Sequence, residues 1–101
     1  MSLSAFGPLG ATLTITTAAG TSTTAQAIPG TGGDSAMVAN PNAEVKFIRF
    51  GDSNVAAASA ADIIVPPNGY MPFAIPPGTT HCTVFGATGA QTVYVMRGSG
   101  M

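Results

Sequence analysis

Glu44-Val45-Lys46-Phe47-Ile48-Arg49-Phe50-Gly51-Asp52 is the stretch on which the fold of this chain turns. The chain holds 3 Lys or Arg and 4 Asp or Glu, and Glu44, Lys46, Arg49 and Asp52 are among them. Two of its 5 Phe sit there as well. Val45 and Phe47 occupy one phase of the strand alternation, Ile48 and Phe50 the other. Successive strand side chains point to opposite faces. Two apolar phases therefore mean a strand covered on both faces, or a bulge near Phe47 and Ile48 that switches the phase. The stretch is expected to be the centre of a sheet or the place where a partner is gripped.

Upstream, Met1 to Gly10 is broken by Gly7, Pro8 and Gly10. Such residues interrupt regular structure, so an arm that orders only against something else is expected. Leu13 and Ile15 alternate with Thr12, Thr14 and Thr16, the period-two pattern of a half-buried strand. A second strand from Ser22 to Ile28 is expected to pair with it across a turn near Gly20. Gly30, Gly32 and Gly33 make a loop that matches no nucleotide-binding glycine fingerprint. A short strand over residues 36–39 follows, ended by Asn40, Pro41 and Asn42.

Downstream, Gly51 to Asn54 form a turn, and residues 55–58 are read as a small-residue strand rather than helix, for lack of a 3.6-residue period. Ile63 to Val65 is a brief apolar run before Pro66 and Pro67. Tyr70 to Ile75 carries Pro72, which confines it to a sheet edge or a bulge. Thr80 to Phe85 and Thr92 to Met96 are expected to close the fold as a hairpin. Short strands at this spacing predict an all-β fold, a small antiparallel β-sandwich or jelly-roll-like barrel with a flexible N-terminal arm. The domain organisation is an arm, residues 1–10, and a single β domain, residues 11–101.

Composition bounds the function. A chain of 101 residues buries roughly 60–65% of its unfolded surface, enough for one modest core. Only 7% of residues are charged, against roughly 25% in ordinary domains, and the net charge is -1. Proteins near neutrality tend to associate, so the chain reads as a subunit that hides surface in an assembly. Three basic residues are too few to neutralise the phosphates that nucleic-acid affinity requires. The single Cys82 precludes an internal disulfide and suits a reducing cytoplasm. No basic residue precedes Lys46 and no 18-residue apolar run occurs, so neither a secretory leader nor a membrane span is expected.

Candidate chemistry is sparse. His81 is the only histidine, which leaves no pair for zinc and no nucleophile-base arrangement. Cys82 alternates with Val84 and reads as a small hydrophobe. Asp34, Asp52 and Asp62 lie in or beside loops, where turn and capping roles fit better than a calcium template. No catalytic residue, cofactor or metal is expected. Arg49 and Arg97 are rare charges on apolar strands; each is either exposed or paired internally with Glu44 or Asp62, or it grips a carboxylate across a subunit contact. Tyr70, Met71, Phe73 and Phe85 form either a patch for a ligand or neighbour or part of the core. The interface candidates are Phe6, Leu9, Arg49, Tyr70, Met71 and Arg97.

From Glu44 onward, one pattern resembles small virion proteins of tailed bacteriophages. It runs through Arg49-Phe50-Gly51, Val55-Ala56-Ala57, Pro67-Asn68-Gly69, Pro77-Gly78-Thr79-Thr80-His81, Val93-Tyr94-Val95 and Gly98-Ser99-Gly100. These proteins are similar to capsid decoration or cement proteins, β-sandwich or jelly-roll subunits that sit on an assembled head. The resemblance implies a non-enzymatic structural protein in the virion. Its partners would be the major capsid protein and copies of itself as dimer or trimer, with no nucleic acid or membrane. The alternatives are a tail, neck or fibre-base component, or a carbohydrate-binding module on the particle.

Overall fold

The structure is a computed structural model that describes residues 7–18, 20–86 and 91–99. Among the described residues ten strands succeed one another: β1 (Gly7–Pro8), β2 (Leu13–Thr17), β3 (Thr21–Ser22), β4 (Gln26–Ala27), β5 (Ser35–Asn40), β6 (Lys46–Gly51), β7 (Ile63–Val65), β8 (Gly69–Ala74), β9 (His81–Gly86) and β10 (Gln91–Ser99). No helix occurs among the described residues. The protein is all-β, built from two antiparallel sheets.

In the first sheet β1 and β2 lie end to end along one side of β10, and β5 and β8 follow on its other side. In the second, β3 and β4 share one side of β9, followed by β6 and β7. The pairings are nested. The first long strand meets the last (β2 with β10), β3 and β4 meet β9, β5 meets β8, and β6 meets its neighbour β7. One long hairpin has been rolled up so that alternate rungs fall in opposite sheets, the jelly-roll form of a sandwich.

This nesting overturns two local expectations. Residues 22–28 do not pair with β2: a single bridge, Ala18 with Thr21, marks the point where the chain leaves one sheet for the other. The divergence opens a polar cleft lined by Thr14, Thr16, Ser22, Thr23, Thr24 and Gln26. Likewise β9 and β10 form no hairpin, since each is the second rung of a different sheet. Residues 55–58 are not a strand but part of the segment between β6 and β7.

The core is what the alternation exposes to both inner faces. Ile15, Val38, Ile48, Val65, Val84, Val93 and Val95 are buried, with Cys82 among them as a small hydrophobe. Burying each such aliphatic side chain contributes about 1.5–3 kcal/mol, and the β-branched shape suits a pleated surface. Phe50 and Phe73 pack against this cluster from its margin, their rings 6.3 Å apart. Pro72 lies on β8, an edge strand, where the missing amide costs no ladder bond.

Residues 9 and 10 of the arm lie along the subunit itself. The Leu9 amide donates to the Arg97 carbonyl at 2.8 Å. Gly30 makes this close approach feasible: its φ is +97°, and a Cβ there would stand 2.1 Å from the Leu9 carbonyl oxygen.

Candidate functional site

The central stretch resolves into one continuous register. Phe47 to Gly51 pair residue by residue with Phe85 to His81, so no bulge is present and the strand is covered on both faces. Ile48 and Phe50 face the core, while Phe47 and Arg49 face outward. Phe47 packs on Phe85, with centroids 6.2 Å apart. Beside them residues 52–62 cross the outer face as a strap. Thr83 Oγ1 donates to the Ala56 carbonyl at 2.8 Å, and the Ala58 amide donates to Ser22 Oγ at 2.9 Å. Arg49 Nε and Nη2 both reach Asp62 Oδ1 at 2.9 Å.

That pair meets one expectation for the arginines, a carboxylate within the subunit. Burial pulls the Asp62 carboxyl upward, but the Ser59 amide and the Arg49 guanidinium outweigh it and leave its pKa below the usual value. The remaining loop acids do turn chemistry: Asp52 accepts from the Asn54 amide at 2.8 Å, and Asp34 accepts from Ser35 Oγ at 2.9 Å.

Arg97 is 7% exposed and points inward from β10. It donates to the carbonyls of Gly32 and Thr79, clamping two loops at one end of the sandwich. Its side chain is spent inside the subunit. Leu9 is exposed, and Phe6 lies outside the described residues.

The four-residue patch of Tyr70, Met71, Phe73 and Phe85 is divided by the fold. Phe73 joins the core margin, and Phe85 lies on the outer face of the other sheet. Met71 pairs with the inward-facing Val38 and sits, half exposed, at the sheet edge. Tyr70 points outward and is 71% exposed. Its companion is a residue no local pattern selects, because Ala39 is the register partner of both Tyr70 and Tyr94. The two tyrosines therefore flank Ala39 on the outer face, two strand spacings or about 10 Å apart. Pro41, Asn68 and Gly69 complete a shallow apolar concavity between them.

The adjoining row is Met96, Met37 and Pro72. Among the described residues, the strands of this sheet carry one ionic side chain, Arg97, and it faces inward. The outer face of these strands is thus uncharged and set with aromatic, thioether and threonine side chains.

A second constellation escaped sequence reasoning altogether. Lys46, fully buried, points into the sandwich from β6. Its Nζ donates to Glu44 Oε1 at 2.8 Å and to Gln91 Oε1. Gly86 leaves room for it, since a Cβ there would stand 2.9 Å from Nζ. Nearby Asn40, also fully buried, donates to the carbonyls of Glu44, Val65 and Pro66 and accepts from the amide and side chain of Asn42. No buried side-chain polar atom among the described residues lacks a partner. Glu44 and Lys46, two apart, share a strand phase, and only that parity hinted at their contact.

Compared with known proteins, the chain matches no family model, no curated protein and no solved structure.

Proposed function

We propose that this protein is a non-enzymatic structural subunit of a tailed-bacteriophage particle, a capsid decoration or cement protein that binds the assembled head and stabilises contacts between capsomers. The observation that carries the reading is the uncharged outer face of the β2–β10–β5–β8 sheet, with Tyr94, Ala39 and Tyr70 in one row and Met96, Met37 and Pro72 in the next. Such a face offers water few hydrogen bonds, whereas a neighbouring subunit or shell protein gains aromatic and thioether contacts from it. The near absence of charge suits close packing of many copies. The sequence pattern from Glu44 onward adds the phage setting, and assembly in the host cytoplasm follows from that setting.

Light scattering on the purified chain, with and without Tyr70→Lys and Tyr94→Lys, tests the face. A dimer or trimer that the substitutions reduce to monomer, with the β-sheet circular dichroism intact, supports the proposal. A monomer at every concentration that also leaves purified heads undecorated overturns it. The position of the subunit in a particle map separates a head protein from a tail, neck or fibre-base component.

The two tyrosines flanking Ala39 favour a second reading, a carbohydrate-binding module, because exposed aromatic rings at this separation stack on sugar faces. A glycan array on which Tyr70→Ala and the parent chain behave alike removes it.

A further inference from the structure

Lys46 is the only lysine of the chain, and the fold seals it from water beside a carboxamide and a carboxylate. Its Nζ touches the side-chain oxygen of Gln91, and Glu44 Oε1 stands 2.8 Å from the same nitrogen. The carbon that an amine would attack is one bond beyond the oxygen that Nζ touches, and the reaction requires the amine to approach it to about 3–3.5 Å. A rotation of the Gln91 carboxamide turns its carbonyl face toward the nitrogen. The three groups reach this point from β6, from the segment before it and from β10, so the contact spans the two sheets.

We propose that Lys46 and Gln91 condense within the folded chain to an isopeptide bond that joins the two sheets, with Glu44 carrying the proton. Glu44 takes a proton from the Lys46 ammonium, and the neutral amine adds to Cδ of Gln91. The carboxyl of Glu44 passes that proton to the Gln91 nitrogen and then accepts the second proton from the Lys46 nitrogen. The Cδ–Nε2 bond breaks, and the departing ammonia takes the second proton from Glu44 and leaves as ammonium. An N–C bond has replaced an N–C bond, Glu44 is again a carboxylate, and no oxidant or co-reactant is consumed. The Lys46 amine is sealed from solvent, while Gln91 and Glu44, only half-buried, leave a route for ammonia. Gly86 gives the amine its clearance, since a Cβ there would stand 2.9 Å from Nζ.

The test is the intact mass of the full chain, purified and kept folded at neutral pH, joined with amine labelling after unfolding in denaturant. The expected result is a mass lower than the sequence by one ammonia, labelling at the N-terminus alone, and trypsin failing to cut after Lys46 so that residues 1–49 stay joined to residues 50–97. Glu44→Gln and Lys46→Arg should each show their full sequence mass. A parent chain at full mass with Lys46 labelled overturns the proposal and leaves an ordinary buried ion pair. Ammonia lost instead at Asn68-Gly69, with Lys46 still reactive, overturns it equally. A Glu44→Gln chain that condenses as fast as the parent removes Glu44 from the reaction. If Lys46→Arg fails to fold, the mass and labelling of the parent chain still decide.

Discussion

Arg49 on β6 holds Asp62 at 2.9 Å across the outer face of its sheet, and through that contact the segment between β6 and β7 becomes a strap rather than a loose loop. Asp62 also accepts from the Ser59 amide at 2.8 Å, so one carboxylate both shapes the end of the strap and ties it down.

Because its folded pKa is lowered, Asp62 contributes stability that is complete above its ordinary value of 3.8 and disappears as the pH falls through the lowered folded value. Arg49 is 41% exposed, so the pair should contribute no more than about 1 kcal/mol. Asp62→Asn is expected to lower the urea midpoint slightly at neutral pH and not at all at the acid end. Hydrogen exchange should show the loss at residues 52–62, and unchanged exchange there would refute the strap.

Asn40 makes a stronger prediction. It is fully buried and serves three carbonyls at the polar end of the sandwich, including one on each side of the junction between Val65 and Pro66. Asn40→Ala strands those acceptors and should cost about 3 kcal/mol in denaturant unfolding. A cost below half of that would show that the network contributes little.

Burial pushes the Cys82 thiol up to about 12. In the folded chain it should resist thiol reagents at neutral pH and react only on unfolding. The sign for stability is the reverse of the Asp62 case. The unfolded thiol ionises near 9.0 while the folded one stays neutral, so stability is whole below that pH and declines as the pH rises toward 12. Cys82→Ala should remove the alkaline decline from this source.

Gly30→Ala probes the arm. With φ at +97° and the Leu9 carbonyl 2.1 Å from the added Cβ, the substitution must displace residues 9 and 10. About 1–3 kcal/mol of local strain is expected, read as lost protection of the Leu9 amide while amides of β6 stay protected. An unchanged Leu9 amide would mean that the arm does not depend on this clearance.

Most of the longer strands were legible in the sequence because their causes are local. The alternation of Leu13 and Ile15 with threonines, the apolar Ile63 to Val65, and turns set by proline, glycine and asparagine all act within a few residues. So did the two-phase pattern of Phe47, Ile48 and Phe50, which required cover on both faces once no bulge was present. Which strand pairs with which was not local. Residues 22–28 are as compatible with β2 as with β9, and closure of the roll, not propensity, chose β9. The candidate face followed from the same choice, for only the register of β8 and β10 on β5 brings Tyr70 and Tyr94 to either side of Ala39. Lys46 is the clearest case. By itself the sequence determined that a lone lysine shares a strand with apolar neighbours, whereas only the tertiary structure buried it, since Glu44, Gly86 and Gln91 converge on its amine from distant parts of the chain.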